Sequence, residues 1–351
     1  MQGKMTIIIL ILFLIILITA KPVKYNEEYL AKRYTNIVKG FFIVFVFIRH
    51  FLQYKLQFSN EWVDKIGIDF NKKLSQLIVT MFLFYSGYGI MESTKNKGKK
   101  YIDNIPKKRI LATLINFDIA VIIYIIVYNI FIAKSLSIKK MLLALIGWRS
   151  FGNSNWYILC ILILYFIAYL SFTSFKDNKK RIISVFIGTL LYTSIMKFYK
   201  DSYYYNTAFC FVAGIAYSMY KNKIELWIKN RELITFVYLS VFYIIAYKLR
   251  ANMIWYHIHS VLFALVIVVA SRKINIKNKG LEWMGKNLFP IYIYQRIPMM
   301  LLNKSSYMRE NPYIFFIVAF ILTLMIAFIY NIIRLIIDKI KNKIEPINKV
   351  T

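Results

Sequence analysis

His50 lies inside the apolar run 43–52, beside Arg49 and eleven residues after Lys39. Ionisable groups at membrane depth are rare, and they mark reaction sites or conduction pathways. At about 3.6 residues per turn, that spacing is about three turns of helix, so Lys39 and His50 share one face about 16 Å apart along the axis. The arrangement suits a bridge. A cation at one mouth holds an anionic donor, and a base deeper in takes and returns a proton near neutral pH. A histidine hydrogen-bonded inside a helix bundle for packing alone is the competing reading.

Other polar residues lie at comparable depth. The stretch 285–298 carries Tyr292, Gln295 and Arg296 between Pro290 and Pro298. Tyr292 and Gln295 are three apart and face together, and the three side chains offer donors to an oxyanion or to sugar hydroxyls. Hydrogen bonding between helices explains them equally well. Asp118 sits within an apolar segment, so a cationic or hydrogen-bonding partner is expected. His50, Lys39 and Arg49 are the candidates. Ser86-Gly87 suits close helix packing, because a serine nucleophile needs a neighbouring base. The stretch 147–157 combines Trp148, Arg149, Trp156 and amides, a set suited to stacking on a sugar or to anchoring at a membrane surface. The basic loop 95–109, with Lys108 and Arg109, suits the phosphates of a nucleotide-like donor. It contains no glycine-rich phosphate cradle. His257 and His259 read as capping or anchoring residues, and no carboxylate is spaced to complete a metal site with them. Cys160 and Cys210 both fall in apolar segments and read as packing residues.

These residues need a membrane to hold them. The chain has 351 residues, 59% hydrophobic and 18% aromatic, in blocks that leave most segments without a polar face. The expected fold is all-α, a polytopic bundle. Apolar stretches of spanning length fall at about 5–20, 37–54, 74–91, 110–133, 155–173, 182–198, 204–220, 233–249, 254–271, 282–302 and 312–337. The first reads as an extra helix in residues 1–24, followed by a ten-helix domain over 25–340 and a basic tail over 341–351. The tenth is interrupted by Gly285, Pro290 and Pro298, and an interrupted helix at this depth persists only where protein or a wet cavity covers it.

The formal net charge is +31. Its Lys and Arg residues lie between apolar blocks, where cytoplasmic loops and anionic lipid headgroups account for them. No nucleic-acid module is legible. Alternate loops are rich in cations, among them Lys21, Lys24, Lys32, Arg33 and the stretches 95–109, 176–181, 221–231 and 272–279. The opposite set is poorer in cations and carries Glu61, Asp64, Asp69 and Asp201. The first set is expected inside, which puts the C-terminus in the cytoplasm. Lys4 is the only cation ahead of the first apolar run, while Lys21, Lys24, Lys32 and Arg33 follow it, so that run reads as a retained helix rather than a cleaved signal.

Several motifs together carry a resemblance. The stretch 36–50, with Lys39 and His50 ten residues apart by intervening count, resembles the first core helix of the membrane-bound acyltransferase 3 family. Phe82-Leu-Phe-Tyr-Ser86-Gly87-Tyr resembles that family's aromatic-Ser-Gly helix. Pro106-Lys-Lys-Arg109-Ile, Asn155-Trp156-Tyr157 and the stretch 285–295 resemble later elements in the same order. The resemblance implies transfer of an acyl group, commonly acetyl from acetyl-CoA, to a carbohydrate or another acceptor outside the cytoplasm. It implies a bacterial plasma-membrane protein, and with no metal site legible in the residues no metal cofactor is expected. His50 takes the place of the essential histidine and Lys39 that of the basic residue. The sequence departs from the family pattern at Lys39, where arginine is common, at Ala112, and at Gln295, where a late histidine is frequent. A flippase or a polymerase for lipid-linked sugars are the rival readings. A flippase is expected to show inverted repeats, and a polymerase a large outer loop. Neither feature is visible.

Overall fold

The computed structural model describes residues 5–54, 62–132 and 137–344. Lys4, Glu61 and the tail from 345 onward lie outside the described residues. Among the described residues, eight helices are long and apolar enough to cross a membrane. They are Lys32–Phe51, Asp64–Lys97, Lys99–Phe131, Asn155–Ser174, Asn178–Tyr199, Glu232–Leu249, Met253–Ser271 and Pro312–Ile337. The protein is a multi-pass, all-α membrane bundle. Residues 112–132 show why the helices persist, since that run contains neither Gly nor Pro and its backbone polar groups are satisfied internally.

The three remaining expected segments take shorter forms. The first is the 15-residue helix Met5–Thr19, packed on Trp62–Leu74 with Gly67 N–H donating to Thr6 Oγ1 at 2.8 Å. The seventh is the 11-residue helix Phe209–Met219, entered through the 3-10 turn Ser202–Tyr204. The tenth is broken into Lys279–Lys286, Leu288–Tyr294 and Arg296–Leu302. The breaks follow from the prolines. A proline has no N–H, and its ring crowds the carbonyl four residues back. Pro290 and Pro298 stand four residues after Lys286 and Tyr294, the last residues of the two preceding pieces. One small feature departs from the all-helical expectation: Ala20–Pro22 pairs antiparallel with Ile274–Ile276.

Burial is uneven. The Lys32–Phe51 span is 83% buried inside the protein, whereas Glu232–Leu249 is 11% buried. The first is the axis of the bundle. The second turns Leu233, Val237, Phe242 and Ile244 outward, a surface suited to lipid tails. Glycines set the closest approaches. A Cβ on Gly40 would collide with the Leu281 carbonyl oxygen, and one on Gly285 with that of Asn36. Helix Lys279–Lys286 therefore lies directly against the histidine helix and delivers the broken segment to it. Gly87 and Gly214 perform the same service between Thr80–Lys97 and Phe209–Met219, meeting the backbones of Phe211 and Phe84.

Candidate active site

His50 sits near the end of the axial helix, 5% exposed. Its Nε2 is 3.0 Å from Ser154 Oγ, and the bond is buried. Ser154 immediately precedes helix Asn155–Ser174 in a loop held by two separate features. The loop turns at Gly147 (φ +74°) and Gly152 (φ +95°), a conformation that glycine adopts without strain. Asn155 Nδ2 then donates to the carbonyls of Gly147 at 2.5 Å and Arg149 at 3.2 Å. Gly152 lies against Met300 of the broken helix, which brings loop and helix together around the imidazole.

The broken helix supplies the other wall. Tyr292 packs edge-on to the His50 ring at 6.2 Å and at 5.3 Å from the Tyr157 ring. Gln295 is fully buried and stands beside the imidazole. Its Nε2 donates to the Tyr292 carbonyl at 2.9 Å. The segment is anchored from behind by Tyr124, whose hydroxyl donates to the Ile293 carbonyl at 2.8 Å. Arg296 is a cationic neighbour of His50 and lies 6.0 Å from the Tyr54 ring. Its Nε is buried without a hydrogen-bond partner among the described residues.

The structure thus gathers His50, Tyr292, Gln295 and Arg296, and it adds Ser154 and Tyr157. Six other expected residues lie elsewhere. Arg49 follows its own helix face toward Tyr256. Asp118 forms no ion pair among the described residues, and its Oδ1 is buried without a hydrogen-bond partner. The His50 Nε2 partner is a serine, and no hydrogen bond or ion pair among the described residues links the imidazole, Lys39 or Arg49 to this carboxylate. Trp156 packs on Tyr157 at 6.2 Å and on Tyr203 at 6.0 Å, above the site. Lys108 is exposed on the turn Pro106–Leu111.

Lys39 is half-buried at the opposite end of the axial helix, with Lys32 and Arg109 as its charged neighbours. Arg109 is steadied by Tyr101, accepting at 3.3 Å from its Nε. Close by, Glu282 joins Arg33 at 3.3 Å and Lys286 at 2.6 Å, and these cations hold its carboxyl below the usual carboxylate range.

Open cavities flank the bundle among the described residues, and three of them are lined by neither His50 nor Lys39. One, of about 490 Å³, is relevant to the imidazole by position. Trp148, Arg149, Lys200 and Tyr204 line it. Lys200 Nζ stands 3.9 Å over the Trp148 ring and donates to the Trp148 carbonyl at 2.6 Å. Burial and the nearby Arg149 charge push the Lys200 ammonium pKa below its ordinary value. Asn155, next to Ser154, donates to Tyr204 Oη at 3.2 Å, so one side chain joins this cavity to the His50 site.

Sequence reasoning left out Ser154, Tyr157 and Tyr204 as site residues. The available signal was position: a serine directly before the aromatic start of a spanning helix. Its meaning depends on His50, more than a hundred residues away in sequence.

A family model described as an acyltransferase domain, the acyltransferase 3 family, matches residues 32–332, and the chain belongs to that family. Neither a curated protein nor a solved structure matches it.

Proposed function

We propose that this membrane acyltransferase moves an acetyl group from acetyl-CoA to a hydroxyl of a bacterial cell-surface glycan. The carrying observation is the buried His50 Nε2 held 3.0 Å from a hydroxyl oxygen, the geometry a general base needs to activate an alcohol. The donor enters from the cytoplasmic side, where the C-terminus also lies. Lys39, Lys32 and Arg109 form a cluster of like charge that suits the phosphates of an acyl-CoA. About 16 Å of helix then separates that cluster from the base, a span suited to a donor whose anionic end is remote from its thioester.

At the other end, the cavity lined by Trp148, Tyr204, Arg149 and Lys200 offers rings for stacking on a sugar and two cations for its polar groups. Charge developing on the carbonyl oxygen needs donors nearby. Gln295 Nε2 is already committed to the Tyr292 carbonyl. The Tyr292 hydroxyl and Arg296 Nε, both buried without a close partner, are therefore the better donors. The test compares surface glycan from cells with and without the protein by mass spectrometry. An acetyl increment that depends on the protein is expected, and it should disappear with His50→Ala while the variant still inserts. An unchanged acetyl pattern in that variant would refute the role of His50.

A further inference from the structure

We infer that Ser154 is a nucleophile, and that the acyl group travels in two steps through an acyl-serine. This rests on the reading of His50 as the base of an acyltransferase. Three independent features of the structure point to it.

The first is the direction of the His50–Ser154 hydrogen bond. Gln295 Nε2 donates to the Tyr292 carbonyl at 2.9 Å, which fixes the amide and leaves Oε1 as its acceptor. Oε1 and His50 Nδ1 are both buried with no hydrogen-bond partner among the described residues, and Gln295 stands beside that ring. With Nε2 engaged by Ser154, Nδ1 is the nitrogen left to carry the ring hydrogen toward this acceptor. Nε2 then presents its lone pair to Ser154, and the serine hydroxyl is the donor. A base oriented by a third group against a hydroxyl is the arrangement that activates a serine.

The second is what Ser154 does not do. It occupies the position before helix Asn155–Ser174, yet its side chain makes no capping bond. Serine at this position ordinarily accepts from an N–H of the first helical turn. Here Oγ is turned to His50, 2% exposed, at the positive end of a 20-residue helix that favours a developing negative charge.

The third is Tyr292. Its hydroxyl is buried near Ser154 and lacks a hydrogen-bond partner among the described residues. It is a ready donor to an oxyanion formed on Ser154.

In the first step Ser154 Oγ attacks the thioester carbonyl as its proton passes to His50 Nε2. The carbon–sulfur bond breaks, and the leaving thiolate takes that proton. In the second step His50 Nε2 accepts the proton of the acceptor hydroxyl, whose oxygen attacks the serine ester. The carbon–Oγ bond breaks, and Ser154 recovers the proton. No oxidant, reductant or further reactant is needed.

The test uses full-length protein in lipid nanodiscs, given radiolabelled acetyl-CoA without an acceptor. We expect about one equivalent of CoA released in a burst, and an acetylated peptide containing Ser154. Ser154→Ala should lose the label and at least about a hundredfold in turnover with acceptor present. Ser154→Cys, of similar size, should regain a label on its Sγ. A wild-type protein that turns over but shows neither burst nor serine label overturns the proposal, as does a label on His50. Ser154→Ala retaining near-normal turnover while His50→Ala is inactive overturns it too, and leaves the acyltransferase reading of His50 intact. Both variants turning over normally would remove that reading as well.

Discussion

The protein buries histidines in two regions, and their surroundings differ in kind. His50 meets a serine hydroxyl at Nε2 and has a glutamine beside its ring. His257 gives Nδ1 to the Asn206 backbone carbonyl at 2.9 Å, and its ring packs 4.9 Å from Phe209. His259 is stacked on Tyr243 at 4.7 Å with Tyr247 and Tyr256 around it. Burial alone therefore does not distinguish a reactive histidine from a packed one. The distinguishing feature is a hydroxyl within hydrogen-bonding reach of the imidazole. The Met253–Ser271 helix offers its histidines a carbonyl and aromatic rings, which hold an imidazole in place but give it no proton to move.

This contrast can be broken by substitution. His50→Ala should reduce acyl transfer by about 10²- to 10⁴-fold, with normal amounts in the membrane fraction. An equal loss from His257→Ala would erase the difference between the regions. Gly285→Leu should come next. A side chain there collides with the Asn36 carbonyl, so the broken helix must withdraw from His50, at a cost of about 1–3 kcal/mol in stability. Lower thermal stability in detergent together with lost turnover would be the signature. Lys39→Ala should weaken acetyl-CoA binding about tenfold, seen as a raised KM with little change in kcat. Lys39→Arg should be closer to wild type, because the charge is kept. Gln295→Leu should lower kcat about tenfold, the scale of one lost hydrogen bond, without raising the KM for acetyl-CoA. His259→Phe should have the smallest effect. It preserves the stack on Tyr243, and activity within about twofold is expected where nothing but packing changes.

Much of this plan was legible in the residues. Long runs free of proline fix spanning helices because a backbone in lipid has no other way to satisfy its polar groups. The breaks at Lys286 and Tyr294 follow from Pro290 and Pro298 standing four residues later. Lys39 and His50 share a helix, so their spacing on one face follows from helix geometry alone. Asp118 was harder to place. Its type and depth called for a partner, but which helix faces it depends on packing, and its Oδ1 has none among the described residues.

The sequence by itself determined the membrane bundle, the polar residues at depth and the interrupted helix, because each depends on local hydropathy and backbone chemistry. Only the tertiary structure decided which hydroxyl meets His50. Ser154 reaches it through a glycine-turned loop, seated on Met300 and tied by Asn155. That contact joins residues far apart in the chain, and no periodicity records such a pairing.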